Sequence, residues 1–169
     1  MKNGLPIYAE GSGYAGDDYI ADTKVNRDER WQLFMMAPGQ AKAVENIATI
    51  EYFPEVPQLY KADSKNATST GYIVGKGHSM DYNDQLMGRD QTAFVVYRAA
   101  EAYLNYLEAS YVLNGTIDAK ADSYWKALRK RAGVDQDYTK TIAATDMAKE
   151  AENDWGAYSH GQLVDKTLY

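Results

Sequence analysis

The stretch "FVVYRAAEAYLNYLEASYVLNG", residues 94–115, decides how this chain is read. It is apolar almost throughout, and its polar members are Arg98, Glu101, Asn105, Glu108 and Ser110. No glycine or proline interrupts residues 92–113, so the pattern predicts one long helix, ended by Asn114-Gly115, where glycine supplies a left-handed residue. At about 100° per residue, Arg98, Glu101, Asn105 and Glu108 project within an arc of roughly 80°. They form one polar stripe on a helix that is otherwise apolar.

Such a helix is expected inside the protein. Charges there are tolerated when paired and hydrogen-bonded, so the stripe reads as a structural polar network. Arg98 can pair with Glu101 at i, i+3, and Asn105 can bridge towards Glu108. The chemical alternative is that two glutamates two turns apart hold metal ions or form an acid/base couple. A di-metal bundle needs Glu-x-x-His, whereas positions 104 and 111 are Leu and Tyr, and the histidines are His78 and His160. No metal site and no cofactor are expected.

A second helix should follow at once. Thr116 or Asp118 caps it, and Ile117, Ala121, Tyr124, Trp125, Leu128 and Ala132 form its apolar stripe. Gly133 ends it, and Lys126, Arg129, Lys130 and Arg131 lie in its last turns, where the helix dipole favours positive charge. The short link makes the pair an antiparallel helical hairpin.

The remainder is less regular. Residues 1–30 read as loop; Trp31–Met36 as a short strand or helical turn before Pro38-Gly39; residues 44–53 as a strand. Residues 61–70 read as an exposed loop, "GYIVGKG" as a short strand between glycines, and residues 141–153 as a weak helix. The fold class is mainly α: a helical hairpin with long irregular loops and a few short strands. Residues 1–169 read as one partial domain, with a loop-rich segment to residue 90, the hairpin over 91–134 and a loop or short helix over 135–169.

Composition excludes some functions. The net charge of −6 argues against nucleic acid as a partner. With no cysteines, disulfides, thiolate metal sites and cysteine nucleophiles are all excluded. No apolar run approaches the roughly 20 residues needed to cross a bilayer. Nor do residues 1–13 contain a signal-peptide core. "GKG" at 75–77 lacks the rest of a phosphate loop, and "DYNDQLMGRD" at 81–90 has Leu86 where a calcium loop needs glycine. His78 near Asp81 is at most half of an acid/base pair, so catalysis is the least supported class.

The string Arg98-Ala-Ala-Glu101-Ala-Tyr103-Leu104-Asn105-Tyr106-Leu107-Glu108-Ala109 resembles the signature helix of the SusD/RagB family, R-x-A-E-x-Y-L-x-Y-A-E-A. Leu113-Asn114-Gly115 is similar to that family's turn, and Ala127–Gly133 to its "R-x-R-A-G" helix end. Upstream, Thr70–Lys76 resembles the "G-Y-x-x-x-K" element and Asp28-Glu29-Arg30 the "D-x-R" element. Leu107 stands where the family usually has alanine. The family's pattern also runs on into an "E-R-x-x-E-L" helix, and its N-terminal half carries a lipoprotein cysteine and tetratricopeptide-like helices. By this resemblance the chain is an internal or C-terminal-side piece of a larger protein.

The resemblance implies a non-catalytic protein at the outer-membrane surface, lipid-anchored outside this chain. It would bind oligosaccharides and deliver them to a SusC-like TonB-dependent transporter. From composition alone, Tyr8, Tyr14, Asp17, Asp18 and Tyr19 are candidate glycan-binding residues, because aromatic faces stack on sugars and carboxylates accept from hydroxyls. Trp31 and Trp155 are weaker candidates. A helical module that docks a partner protein is the alternative.

Overall fold

Asp118 starts the second helix as its spacing predicts. In a computed structural model, which describes residues 1–37, 39–46, 49–53, 72–77, 79–86, 88–89, 91, 95–151 and 165–169, its carboxylate accepts from the Ala121 N–H at 2.7 Å. Helices and strands in chain order are α1 (Ile20–Lys24), α2 (Glu29–Phe34), β1 (Met35–Met36), β2 (Ala41–Asn46), β3 (Thr49–Tyr52) and β4 (Ile73–Val74). A 3-10 turn at Tyr82–Gln85 follows, then α3 (Ala99–Asn114), α4 (Ala119–Arg131), α5 (Tyr138–Ala144) and α6 (Met147–Ala151). Among the described residues the chain is mainly helical, with short antiparallel strand pairs.

These residues gather in two compact units: Met1–Ala15, Val25–Glu29 and Tyr97–Tyr169 in the first, Gly16–Lys24 and Arg30–Val96 in the second. The first unit is built on the α3–α4 hairpin. Tyr103 stacks on Tyr124 with centroids 4.2 Å apart, and Tyr106 meets Tyr124 edge-on. Near the link, Asp118 Oδ2 accepts from the hydroxyls of Tyr106 at 3.0 Å and Ser110 at 2.8 Å. Tyr103 meets the middle of α4 while Ser110, further along α3, meets its start, which is the antiparallel sense expected from the short link.

Both helix ends follow cap chemistry. Gly115 (φ 69°) closes α3, its N–H donating to Tyr111 O at 2.7 Å. At the end of α4, Gly133 (φ 66°) donates to Lys130 O and Val134 to Arg129 O, a Schellman motif. The start of α3 differs from expectation. Residues 95–98 are not helical, Arg98 is extended (φ −148°, ψ 156°), and the expected residues 92–94 lie outside the described ones. The β-branched pair Val95-Val96 favours extended backbone, and Arg98 offers no side-chain cap bond.

The interior setting expected for α3 does not hold. Its buried residues are Ala100, Leu107 and Ser110, whereas Arg98, Glu101, Asn105 and Glu108 are all exposed. The reason is geometric: Leu107 is nine residues from Arg98 and so about 180° round the helix, so packing α3 on α4 turns the polar stripe outward. Among the described residues, no hydrogen bond or ion pair joins the four side chains.

α5 docks beneath the hairpin. Trp125 stacks on Tyr138 at 4.1 Å, and the Tyr138 hydroxyl donates to Asp122 Oδ1 at 2.8 Å. The N-terminal loop is wound tightly. Asn3 donates to the carbonyls of Gly11 and Ser12, Ser12 donates to Ile7 O, and Asn26 donates to Gly13 O. Asp135 N–H donates to Lys2 O, and Thr141 Oγ1 donates to Gly4 O, fixing this loop to the α4–α5 layer.

In the second unit, Trp31–Met36 divides into helix and strand: the end of α2, then β1, which pairs with β4 within "GYIVGKG". The strand expected over 44–53 is a hairpin of β2 and β3, with Ala43 and Phe53 buried. The weak helix expected over 141–153 is divided between α5 and α6 as far as residue 151. The loop expected at 61–70 lies outside the described residues.

Candidate functional site

Among the described residues, a concavity with the features of a ligand site lies in the first unit. Its apolar surface comes from Leu104 and Leu107 of α3, Ile117 of the link, Trp125 of α4, and Leu168. Its polar atoms come from Glu108, Tyr111, Thr167 and Tyr169, and its volume is about 370 Å³. Apolar walls with a few placed polar groups, at this volume, fit a small-molecule or sugar-ring site. Glu108 is exposed at the rim, and its carboxylate makes no hydrogen bond or ion pair among the described residues.

One wall is the turn Asp165–Tyr169. Asp165 Oδ1 accepts from Thr167 N–H at 2.8 Å and Leu168 N–H at 2.9 Å, so the carboxylate closes its own turn. Those backbone donors, led by Leu168, hold its pKa below the usual value, and a hydrogen bond with the Tyr111 side chain adds to the effect. Lys166 Nζ donates to Ala143 O at 2.9 Å, tying the turn to α5.

The same wall meets the N-terminal loop through Glu150 of α6. Tyr8 donates to Glu150 Oε1 at 2.7 Å, and Tyr169 donates to Oε2. The Tyr8 oxygen also accepts from Asp146 N–H at 2.9 Å, and Lys149 Nζ lies 5.1 Å from the Tyr8 ring centre. Burial, followed by the bond to Glu150, raises the Tyr8 phenol. For Tyr169 the bond to Glu150 is the main cause, pushing the phenol up to about 12.

The SusD family model matches residues 1–156, spanning both units and the hairpin. The chain belongs to the SusD family. No curated protein and no solved structure matches it. Proteins of this family are in general non-catalytic, nutrient-binding and associated with the outer membrane. Among the described residues, no helix is long and apolar enough to cross a membrane, and no group of three or more acidic, His or Cys side chains could hold a metal.

Within this SusD-family chain, the five composition-based candidates fall in both units. Tyr8 and Tyr14 belong to the first unit; Asp17, Asp18 and Tyr19 belong to the second. Tyr8 is committed to Glu150 and Asp146, so its hydroxyl serves the fold. Tyr14 is half-buried, while Asp17, Asp18 and Tyr19 are exposed, Tyr19 by 72%. Trp31 meets Tyr72 edge-on, and His78 and Trp155 lie outside the described residues. Asp81 caps the 3-10 turn by accepting from Asn83 N–H, and Ser79 donates to Asp84 Oδ2.

Sequence reasoning missed Tyr111, Thr167, Leu168 and Tyr169 as groove residues. No local signal marks them, because the groove forms only when the turn at 165–169 meets α3. Glu108 is legible in the sequence as a member of the polar stripe, which reads there as a buried network. Its exposure puts it on the groove instead.

Proposed function

We propose that the chain binds an oligosaccharide, without cleaving it, in the groove between α3, α4 and the turn at 165–169. The observation that carries this reading is an apolar cleft of about 370 Å³ with the Glu108 carboxylate at its rim. The apolar C–H face of a sugar ring would lie against Trp125, Leu168 or Tyr169, and its hydroxyls would donate to Glu108. Membership of the SusD family supports a nutrient as the ligand and the outer-membrane surface as the place. It also supports delivery to a TonB-dependent transporter.

Affinity electrophoresis through gels containing soluble polysaccharides tests the reading. Retardation by at least one polysaccharide, weakened in Glu108→Ala and accompanied by no release of reducing ends, is expected. Release of reducing ends would make the protein a hydrolase and overturn it.

A second reading rests on the exposed end of α3, where Val112 is 66% exposed and Leu113 83%. Apolar surface of this kind suits docking to a partner protein. It predicts a sugar-independent complex with the transporter on size-exclusion chromatography, and failure of that complex to form counts against it.

A further inference from the structure

Glu150 lies on α6, yet its carboxylate is divided between tyrosines from opposite ends of the chain. One oxygen takes the Tyr8 hydroxyl and the other the Tyr169 hydroxyl. Tyr169 lines the groove, while neither Glu150 nor Tyr8 does. We infer that Glu150 is a positioning residue for the groove, fixing Tyr169 as its wall, and that Tyr8 in turn fixes Glu150. This inference rests on the groove being the glycan site.

The geometry gives each partner a distinct part. An unbound side chain at a turn samples several rotamers and loses that freedom on binding a ligand, which weakens affinity. A tyrosine held by its hydroxyl has lost much of that freedom already. Glu150 is itself held on two sides. Its helix starts at Asp146, whose Oδ1 accepts from Ala148 N–H and whose carbonyl accepts from Glu150 N–H, and Tyr8 ties its carboxylate to the N-terminal loop. The charged groups about this cluster are Asp146 and Lys149 on the α6 side and Lys166 and Asp165 on the turn.

Two readouts on the full chain test the inference. The first is amide hydrogen exchange over residues 165–169, which needs no ligand. Glu150→Ala should speed exchange there about tenfold or more, with the amides of α4 unchanged. Glu150→Gln, which keeps one acceptor oxygen, should speed it less. The second is labelling of a glycan array. Glu150→Ala should lose the spots that Tyr169→Ala loses, and Tyr8→Phe, which removes no atom from the groove, should weaken them part way. Wild-type exchange over 165–169 in Glu150→Ala overturns the inference. So does wild-type array labelling by Glu150→Ala when Tyr169→Ala has lost it. If the exchange responds and the wild-type protein labels no spot, Glu150 still positions the turn and it is the glycan reading that fails.

Discussion

Replacing Gly4 by alanine tests how firmly the N-terminal loop is built into the first unit. Gly4 is buried with φ +81°, and a Cβ there would lie 2.5 Å from Arg129 Nη2 and 3.2 Å from both Lys140 Cε and Thr141 Oγ1. The guanidinium cannot yield freely, because Nε donates to Asp135 O and Nη2 to Thr141 Oγ1, while Thr141 donates to the Gly4 carbonyl. The left-handed backbone costs alanine about 1–2 kcal/mol. Displacing the pinned side chains adds about 1–3 kcal/mol of overpacking. Gly11 is the internal control: its φ is +74°, but nothing lies within 4 Å of the added carbon. Gly11→Ala should therefore show the backbone cost alone, about 1–2 kcal/mol. Urea unfolding followed by circular dichroism measures both variants, and Gly4→Ala should be the less stable by about 1–3 kcal/mol. Equal losses would refute the reasoning, since the loop would then not be packed on Arg129.

Three further outcomes follow from the same contacts. Leu107→Ala should destabilise by about 2–4 kcal/mol in urea titration, because the side chain is buried under the hairpin and its loss leaves a cavity. Asp118 has a pKa held below 3.8 by the Ala121 N–H first and then the Ser110 and Tyr106 hydroxyls. A depressed carboxyl pKa contributes stability that is present above the unfolded value and lost as pH falls through the folded one, so Asp118→Asn should flatten the acid limb of a stability–pH profile below about pH 4. Tyr138, pushed up to about 12 by burial and then by its bond to Asp122, has the opposite sign. Its contribution is complete below the unfolded value of 10 and lost as pH rises towards 12, so Tyr138→Phe should lose less stability than wild type over that range in thermal melts.

The hairpin was legible in the sequence because its signals are local. Asp118 sits three residues before the N–H it caps, and Gly115 and Gly133 stand where left-handed residues are required. The burial of α3 was not legible in the same way. Periodicity placed Arg98, Glu101, Asn105 and Glu108 on one arc, but whether that arc faces in or out depends on what packs opposite it. Ala100, Leu107 and Ser110 are the buried side. The start of α3 is not marked by glycine or proline; the β-branched Val95-Val96, which favours extended backbone, precedes it. The β2–β3 hairpin was hidden because its ladder carries register shifts that blur the alternation. Least legible were the wound N-terminal loop and the groove. Both depend on long-range bonds, Tyr8 to Glu150 and Thr141 to Gly4, which no local pattern announces.

The most direct test of the groove is a nuclear magnetic resonance titration of the labelled chain with oligomers of a polysaccharide that retards it. The account predicts shift changes concentrated at Leu104, Glu108, Tyr111, Trp125 and Tyr169. Changes centred instead on Asp17, Asp18 and Tyr19, with these groove residues undisturbed, would contradict it.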